Sequence, residues 1–166
     1  MSRHRFGTIE RIAFDVDVEP DADARGHAFL ALWAGGIRLG ATDRAEQLDT
    51  FLDALERFLG VLPAAPPEFG GRSAAAIAEE VLSVLQDPDP GRPDFRWDRA
   101  RLYERLQLLP NGCSSFDGEL ALLLSEPAHD RLIVRRYPDT RVHEVIVGAG
   151  DVVSVARSVL RHSWRR

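Results

Sequence analysis

The sequence groups its strand patterns into two blocks separated by a helical middle, and this grouping constrains the fold more than any other feature. In the first block, apolar and polar residues alternate at 9–18, and strand patterns follow at 27–34 and 37–39. The second block has strand patterns at 119–125, 131–137 and 142–147. The connections inside the second block are too short for parallel crossovers, so we expect antiparallel pairing.

Helical spacing fills the middle of the chain and returns at its end. Apolar residues spaced by three and four predict a helix at 48–59, with Asp43 and Glu46 as its capping box and Gly60 as its end. Further helices are predicted after Ser73, Asp98 and Asp151. The order βββ-ααα-βββ-α predicts an α+β fold, in which an antiparallel sheet of about six strands packs helices mainly on one face.

Composition limits the number of domains and the classes of function. A length of 166 residues with a hydrophobic fraction of 45% favours a single domain over residues 1–166. All 21 basic residues are arginine, and the absence of lysine excludes Schiff-base chemistry and a P-loop lysine. The net charge of -5 disfavours binding to nucleic acid and favours a basic protein partner.

The sequence also predicts where the protein works. No apolar run approaches the roughly 20 residues that a membrane span needs. The first residues, 1–5, are basic but lack the apolar stretch of a signal peptide. We therefore expect a cytoplasmic protein with no membrane partner. The single cysteine, Cys113, excludes an internal disulfide.

An acidic run follows the first strand pattern and is the main candidate for a partner-binding surface. Its members alternate along the chain and are Asp15, Asp17, Glu19, Asp21 and Asp23. We interpret them as the solvated acidic face of a strand that a partner could contact. They do not form a calcium loop, because Pro20 occupies the position of the required glycine.

Two catalytic alternatives use residues of the same chain. The segment 12–17 resembles the nucleophile motif of haloacid-dehalogenase-type phosphatases, with Asp15 and Asp17 as its acids, but Val155 stands where that family has a late acidic residue. For cysteine or serine catalysis, the nucleophile candidates are Cys113, Ser114 and Ser115, and the base would be His129 or His143. No local signature surrounds this cysteine, so we expect it to be a packing residue.

Metal and cofactor sites are not predicted. The five histidines show no paired spacing such as HxxxH, and a lone cysteine cannot form a CxxC pair. The segment Gly70-Gly71-Arg72-Ser73 before a helix could hold an anion on free N–H groups, although such turns usually only begin a helix.

Two stretches of the chain resemble a known family. They are Arg5-Phe6-Gly7 with the aromatic strand that ends at Gly35-Gly36 and the helix at 48–59, and Phe116-Asp117-Gly118-Glu119 with the strand 131–135 and a terminal amphipathic helix. Together they resemble bacterial immunity proteins of polymorphic toxin systems, in particular immunity protein 42. The resemblance implies a non-enzymatic protein that binds and neutralises a cognate toxin, whose gene usually lies nearby. The resemblance does not indicate which residues of this chain bind the toxin.

Three functions therefore follow from the sequence. The first is an immunity protein, monomeric or homodimeric, that binds a protein toxin. The alternatives are a small hydrolase, phosphatase-like or dependent on cysteine or serine, and a scaffold or regulatory oligomer that uses an exposed sheet edge.

Overall fold

The structure is a computed structural model that describes residues 2–19, 26–62, 64–86, 97–109 and 113–164. In these ranges the chain forms eight strands and four α-helices. They are β1 (Ser2–Thr8), β2 (Ile12–Val18), β3 (His27–Ala34), β4 (Ile37–Leu39), β5 (Glu46–Gln47), α1 (Leu48–Val61), α2 (Ala74–Gln86), α3 (Trp97–Leu106), β6 (Leu120–Ser125), β7 (His129–Arg135), β8 (Val142–Gly148) and α4 (Asp151–Arg161). The predicted α+β class is confirmed, and so is the order of its blocks.

The strands form two antiparallel sheets instead of the single sheet of about six strands that the pattern predicted. The first sheet has the order β1-β2-β3-β4, and β5 also pairs with β3. The second sheet has the order β6-β7-β8. Strand β1 was not predicted, because arginine, glycine and polar residues dominate its sequence and only its pairing with β2 fixes it as a strand.

A main core joins the two sheets. It contains the inward residues of β2 and β3, the apolar faces of α1 and α4, and one face of β6 and β7. A second core lies on the other face of the second sheet, where α2 and α3 pack against β6 and β7. Since β6 is buried on both of its faces, its sequence is the nearly continuous apolar run Leu-Ala-Leu-Leu-Leu.

The first sheet has one face in the main core and one face outside both cores. Phe14 and Leu32 point into the main core, whereas the buried residues Ala13 and Ala31 belong to neither core. The helices therefore cover only one face of this sheet in the described part of the chain, as the sequence predicted for the whole fold.

The beginning of α1 differs from the prediction. Asp43 and Glu46 do not form a capping box, because Glu46 belongs to β5 and Gln47 precedes the helix without a side-chain cap. The Glu46 carboxylate instead accepts hydrogen bonds from Ser114 Oγ and Ser115 N, at 2.7 Å each. This residue therefore ties the first sheet to the segment that leads into β6. The helix ends at Val61, one residue beyond the predicted stop.

Helix α4 packs closely against the first sheet, as its amphipathic pattern predicted. Val152, Ala156 and Val159 are fully buried in the main core. The helix approaches the sheet at Gly7, where φ is +92° and a Cβ would lie 3.1 Å from Val155 Cγ2 of α4 and 2.2 Å from the Ile12 carbonyl oxygen of β2. Only glycine fits there.

Candidate functional site

The face of the first sheet that points away from the main core carries Asp15 and Asp17, the first two residues of the predicted acidic run. We call this surface the outer face. The strand register places Arg3 beside Asp17, Arg5 beside Asp15, and Trp33 beside Arg38. Asp15 also pairs with Ala31, and Asp17 with Phe29. The outer face consists of Arg3, Arg5, Ala13, Asp15, Asp17, Phe29, Ala31, Trp33 and Arg38.

A hydrogen-bonded cluster around Asp15 forms the centre of the outer face. Arg5 donates to both carboxylate oxygens, through Nε at 2.6 Å and Nη2 at 2.7 Å. Arg3 Nη2 donates at 3.0 Å and Trp33 Nε1 at 2.9 Å. The Arg5 guanidinium also lies over the Trp33 ring, with its central carbon 5.9 Å from the ring centroid. These contacts fix the orientation of Arg5 and Trp33.

The environment of Asp15 keeps its carboxylate ionised. Only 3% of the residue is exposed, and burial by itself would raise its pKa. The hydrogen bonds from Arg5, Trp33 and Arg3 outweigh burial and lower the pKa of Asp15 from 3.8 to about 2. A carboxylate that three donors hold in this way is a poor nucleophile, which argues against the phosphatase interpretation.

The prediction of a solvated acidic face is wrong for Asp15. Its side chain is 4% exposed and that of Asp17 is 27% exposed, whereas the side chain of Arg3 is 62% exposed. Asp17 lies 3.6 Å from Arg3, and Glu19 follows β2 and is half-buried. The role of Asp17 and Glu19 in partner binding stays a prediction. Asp21 and Asp23 lie outside the described residues.

A cleft of about 510 Å³ adjoins the outer face where the two sheets meet. We call it the inter-sheet cleft, and its charged and aromatic lining includes Arg38, Arg44, Asp117, Glu119, Arg136 and Tyr137. Gly40 N donates to Glu119 Oε2 at 2.6 Å, and the Arg38 guanidinium donates to the Gly40 carbonyl oxygen. Burial raises the pKa of Glu119, although Gly40, Arg136 and Arg38 oppose this shift.

Arg136 is the cation of the inter-sheet cleft with the most freedom to bind a partner. It is exposed, and within the described ranges it has neither a hydrogen bond nor an ion pair. Tyr137 beside it is 64% exposed. Arg44, by contrast, lies 3.5 Å from Asp117. Sequence reasoning missed Arg136 and Tyr137, because nothing in the pattern distinguishes them from other residues of a strand end.

Of the predicted nucleophiles, Ser114 and Ser115 line the inter-sheet cleft and Cys113 does not, and the two serines lack a base there. Cys113 is buried, and burial raises the pKa of its thiol to about 11. Ser114 Oγ donates to Glu46, and Ser115 Oγ donates to the Arg44 carbonyl oxygen at 3.1 Å. No histidine lines this cleft in the described part of the chain. The geometry therefore gives no support to the hydrolase alternative.

The predicted base His129 lies in a different depression. This groove of about 570 Å³ also contains Pro66, Phe69, Glu126 and Ile146. His129 Nε2 lies 3.3 Å from Glu126 Oε2, and Glu126 also forms an ion pair with the buried Arg131. The other candidate base, His143, lies on β8 and pairs with Val134.

The glycine segment before α2 acts as a helix start. Ser73 Oγ accepts a hydrogen bond from Ala76 N at 3.3 Å, which is the geometry of an N-cap. Arg72 contacts Glu80 at 2.5 Å and is therefore already paired. Neither residue indicates an anion site.

Metal sites and membrane spans are absent from the described ranges. No group of three or more histidine, cysteine, aspartate or glutamate residues is placed to hold a metal ion there. Similarly, none of the helices in those ranges has the length and apolar character that crossing a membrane requires.

Comparisons with known proteins identify a solved structure with a similar fold. No protein-family model matches this chain, and no curated protein sequence matches it. Among solved structures, the chain is similar to the crystal structure of CdiI from Burkholderia dolosa AUO158, with a TM-score of 0.72 and 18% identity. The likeness covers 95% of this chain and 98% of that chain. The two proteins therefore share a fold over nearly their whole length.

Proposed function

We propose that this protein is an immunity protein that binds and neutralises a cognate bacterial toxin. The observation that carries the proposal is the fold likeness to CdiI, a contact-dependent inhibition immunity protein that binds and neutralises its own toxin. The likeness extends over 95% of the chain, so it involves both sheets and the helices around them. The resemblance of the stretches that include 5–7 and 116–119 to immunity protein 42 implies the same function.

Neutralisation would occur by binding, without catalysis. The strongest catalytic candidates are all engaged in structural contacts. Asp15 is held by three donors, Cys113 is buried with a raised pKa, and Ser115 is bonded to backbone. An immunity protein needs only a surface that is complementary to its toxin. The contacts of these residues can hold such a surface in shape.

Several properties of the partner and of the working protein belong to the same proposal. Residues 1–166 would act as one domain, since the main core contains residues from both sheets. The protein would work in the cytoplasm as a monomer or homodimer, with a toxin encoded nearby as its partner. A net charge of -5 opposes binding to nucleic acid. Asp17 and Glu19, at the border of the outer face, are proposed contacts.

The proposal is tested by protection of growth. The C-terminal domain encoded by the reading frame before this one is expressed in a bacterial host from an inducible promoter, with and without the full chain. We expect growth arrest without the chain and normal growth with it. A toxin domain of another family, expressed in the same way, is the control and should still arrest growth. If the chain gives no protection against the neighbouring domain while that domain is toxic, the proposal is wrong.

A further inference from the structure

Arginine side chains form the accessible layer of the outer face. The side chains of Arg3 and Arg5 are 62% and 40% exposed, while that of Asp15 beneath them is 4% exposed. A partner that approaches this face therefore meets guanidinium groups before it meets carboxylates. The surface chemistry is the opposite of what the acidic run Asp15 to Asp23 suggested.

The arginine layer continues from the outer face into the inter-sheet cleft. Arg38 belongs to both, because it pairs with Trp33 across the strands and also lines the cleft. Burial lowers the pKa of Arg38, the charges of Glu119 and Asp15 oppose this shift, and the charges of Arg136 and Arg3 add to it. These guanidinium groups are thus within electrostatic range of one another.

The same surface presents aromatic side chains that belong to neither core. Phe29 and Trp33 are half-buried on the outer face, and Tyr137 is 64% exposed beside Arg136. Arginine, tryptophan and tyrosine are the residue types that contribute most to protein interfaces. Asp15 already fixes the side chains of Arg5 and Trp33. A partner that binds to these two side chains would therefore cost them little conformational entropy.

We propose that the outer face and the adjoining part of the inter-sheet cleft form the toxin-binding surface, and that they bind acidic side chains of the toxin. The inference rests on the proposed function and identifies the surface that performs it. Guanidinium groups bind carboxylates through paired N–H donors, so acidic residues on a protein complement this layer. Nucleic acid fits less well, because Asp15, Asp17 and Glu119 lie between the arginines and interrupt the continuous positive surface that a run of phosphates requires, whereas a single carboxylate needs only a single guanidinium group.

The test compares two charge reversals that alter the net charge equally. Arg136→Glu changes the inter-sheet cleft, and Arg157→Glu changes an exposed arginine on α4 that has no hydrogen bond or ion pair in the described part of the chain. Binding of the purified variants to the neighbouring toxin domain is measured by surface plasmon resonance at low and high salt. We expect Arg136→Glu to weaken binding at least about ten-fold, partly through slower association. Arg157→Glu should stay within about two-fold of the wild type.

A second variant extends the test to the outer face. Arg3→Gln removes an exposed guanidinium but leaves Asp15 bonded to Arg5 and Trp33, so the sheet should stay folded. We expect a further loss of about five-fold or more when it is combined with Arg136→Glu. Circular dichroism checks that each variant retains the wild-type fold.

The outcomes separate this inference from the proposed function. If the wild type binds and neutralises the toxin and Arg3→Gln/Arg136→Glu does so equally well, the inference is wrong and the function stands. If the wild type binds no toxin, both are wrong. If the double variant loses affinity for a duplex oligonucleotide and not for the toxin, the surface recognises nucleic acid and the inference is overturned.

Discussion

Asp15→Asn is the perturbation that tests most sharply how the outer face is held together. The carboxylate of Asp15 accepts hydrogen bonds from Arg5, Arg3 and Trp33, and its pKa is lowered from 3.8 to about 2. This shift corresponds to roughly 2 kcal/mol of folding free energy at neutral pH. We expect Asp15→Asn to reduce the free energy of unfolding by about that amount, because the amide keeps the shape but loses the charge.

The pH dependence of this loss provides a second check. Since the folded-state pKa is depressed, the contribution of Asp15 is complete above the unfolded pKa and is lost as the pH falls from about 4 toward 2. The difference between wild type and Asp15→Asn should therefore shrink to about 1 kcal/mol near pH 3. Urea denaturation followed by circular dichroism at neutral pH and near pH 3 measures both values.

Asp17→Asn is the matched control on the same strand. Its side chain is 27% exposed and its ion pair with Arg3 is longer, at 3.6 Å, so we expect a loss below about 1 kcal/mol. A loss for Asp15→Asn no larger than that of the control, or one that does not change with pH, would refute the assignment of Asp15 as the centre of the outer face.

Three further predictions concern the interior. Gly40→Ala should destabilise the protein by more than about 2 kcal/mol in urea denaturation, because a Cβ at φ +106° would lie 2.4 Å from a carbonyl oxygen. Gly36→Ala, with open space around it, should cost only about 1 kcal/mol, and equal losses would contradict this reasoning. Cys113 should react with a thiol reagent at least about a hundred-fold more slowly in the native protein than in urea, since it is buried and its pKa is raised to about 11. Native reactivity equal to that in urea would disprove its burial. Tyr103→Phe should cost about 1–2 kcal/mol, because the buried hydroxyl donates to Glu80, and an unchanged midpoint would show that this hydrogen bond adds nothing.

The elements with strong periodic patterns could be predicted from the sequence. Strands β3 and β4 have the predicted bounds, because alternation and the Gly35-Gly36 turn define them locally. Helix α4 begins at Asp151, within one residue of the prediction, although Gly150 and not Asp151 occupies the N-cap position. Such elements can be predicted without knowing which distant residues they contact.

The features that depend on distant contacts could not be predicted in this way. The division into two sheets depends on which strands pair, and alternation along one strand does not encode its neighbours. The burial of Asp15 depends on β1, whose own pattern is weak. A signal did exist, since Arg3 and Arg5 alternate as Asp17 and Asp15 do, and a hairpin would bring them together in the observed register.

The inter-sheet cleft shows the same limit. It brings Glu119 and Arg136, which lie at the open end of the β6–β7 hairpin, together with Arg38 from the first sheet. The hairpin pattern indicates that Glu119 and Arg136 are neighbours, but nothing in the sequence near them indicates Arg38. The candidate site therefore depends on the contact between the two sheets, which the sequence does not reveal.

Direct binding between the purified chain and the toxin domain of the neighbouring reading frame tests the central claim. Isothermal titration calorimetry should show a saturable complex with a Kd below about 1 µM, as capture of a toxin at cellular concentrations requires. The same complex should abolish the activity of the toxin domain in solution. Absence of binding heat and of inhibition, with a toxin domain proven active, would contradict the proposal that this protein is an immunity protein.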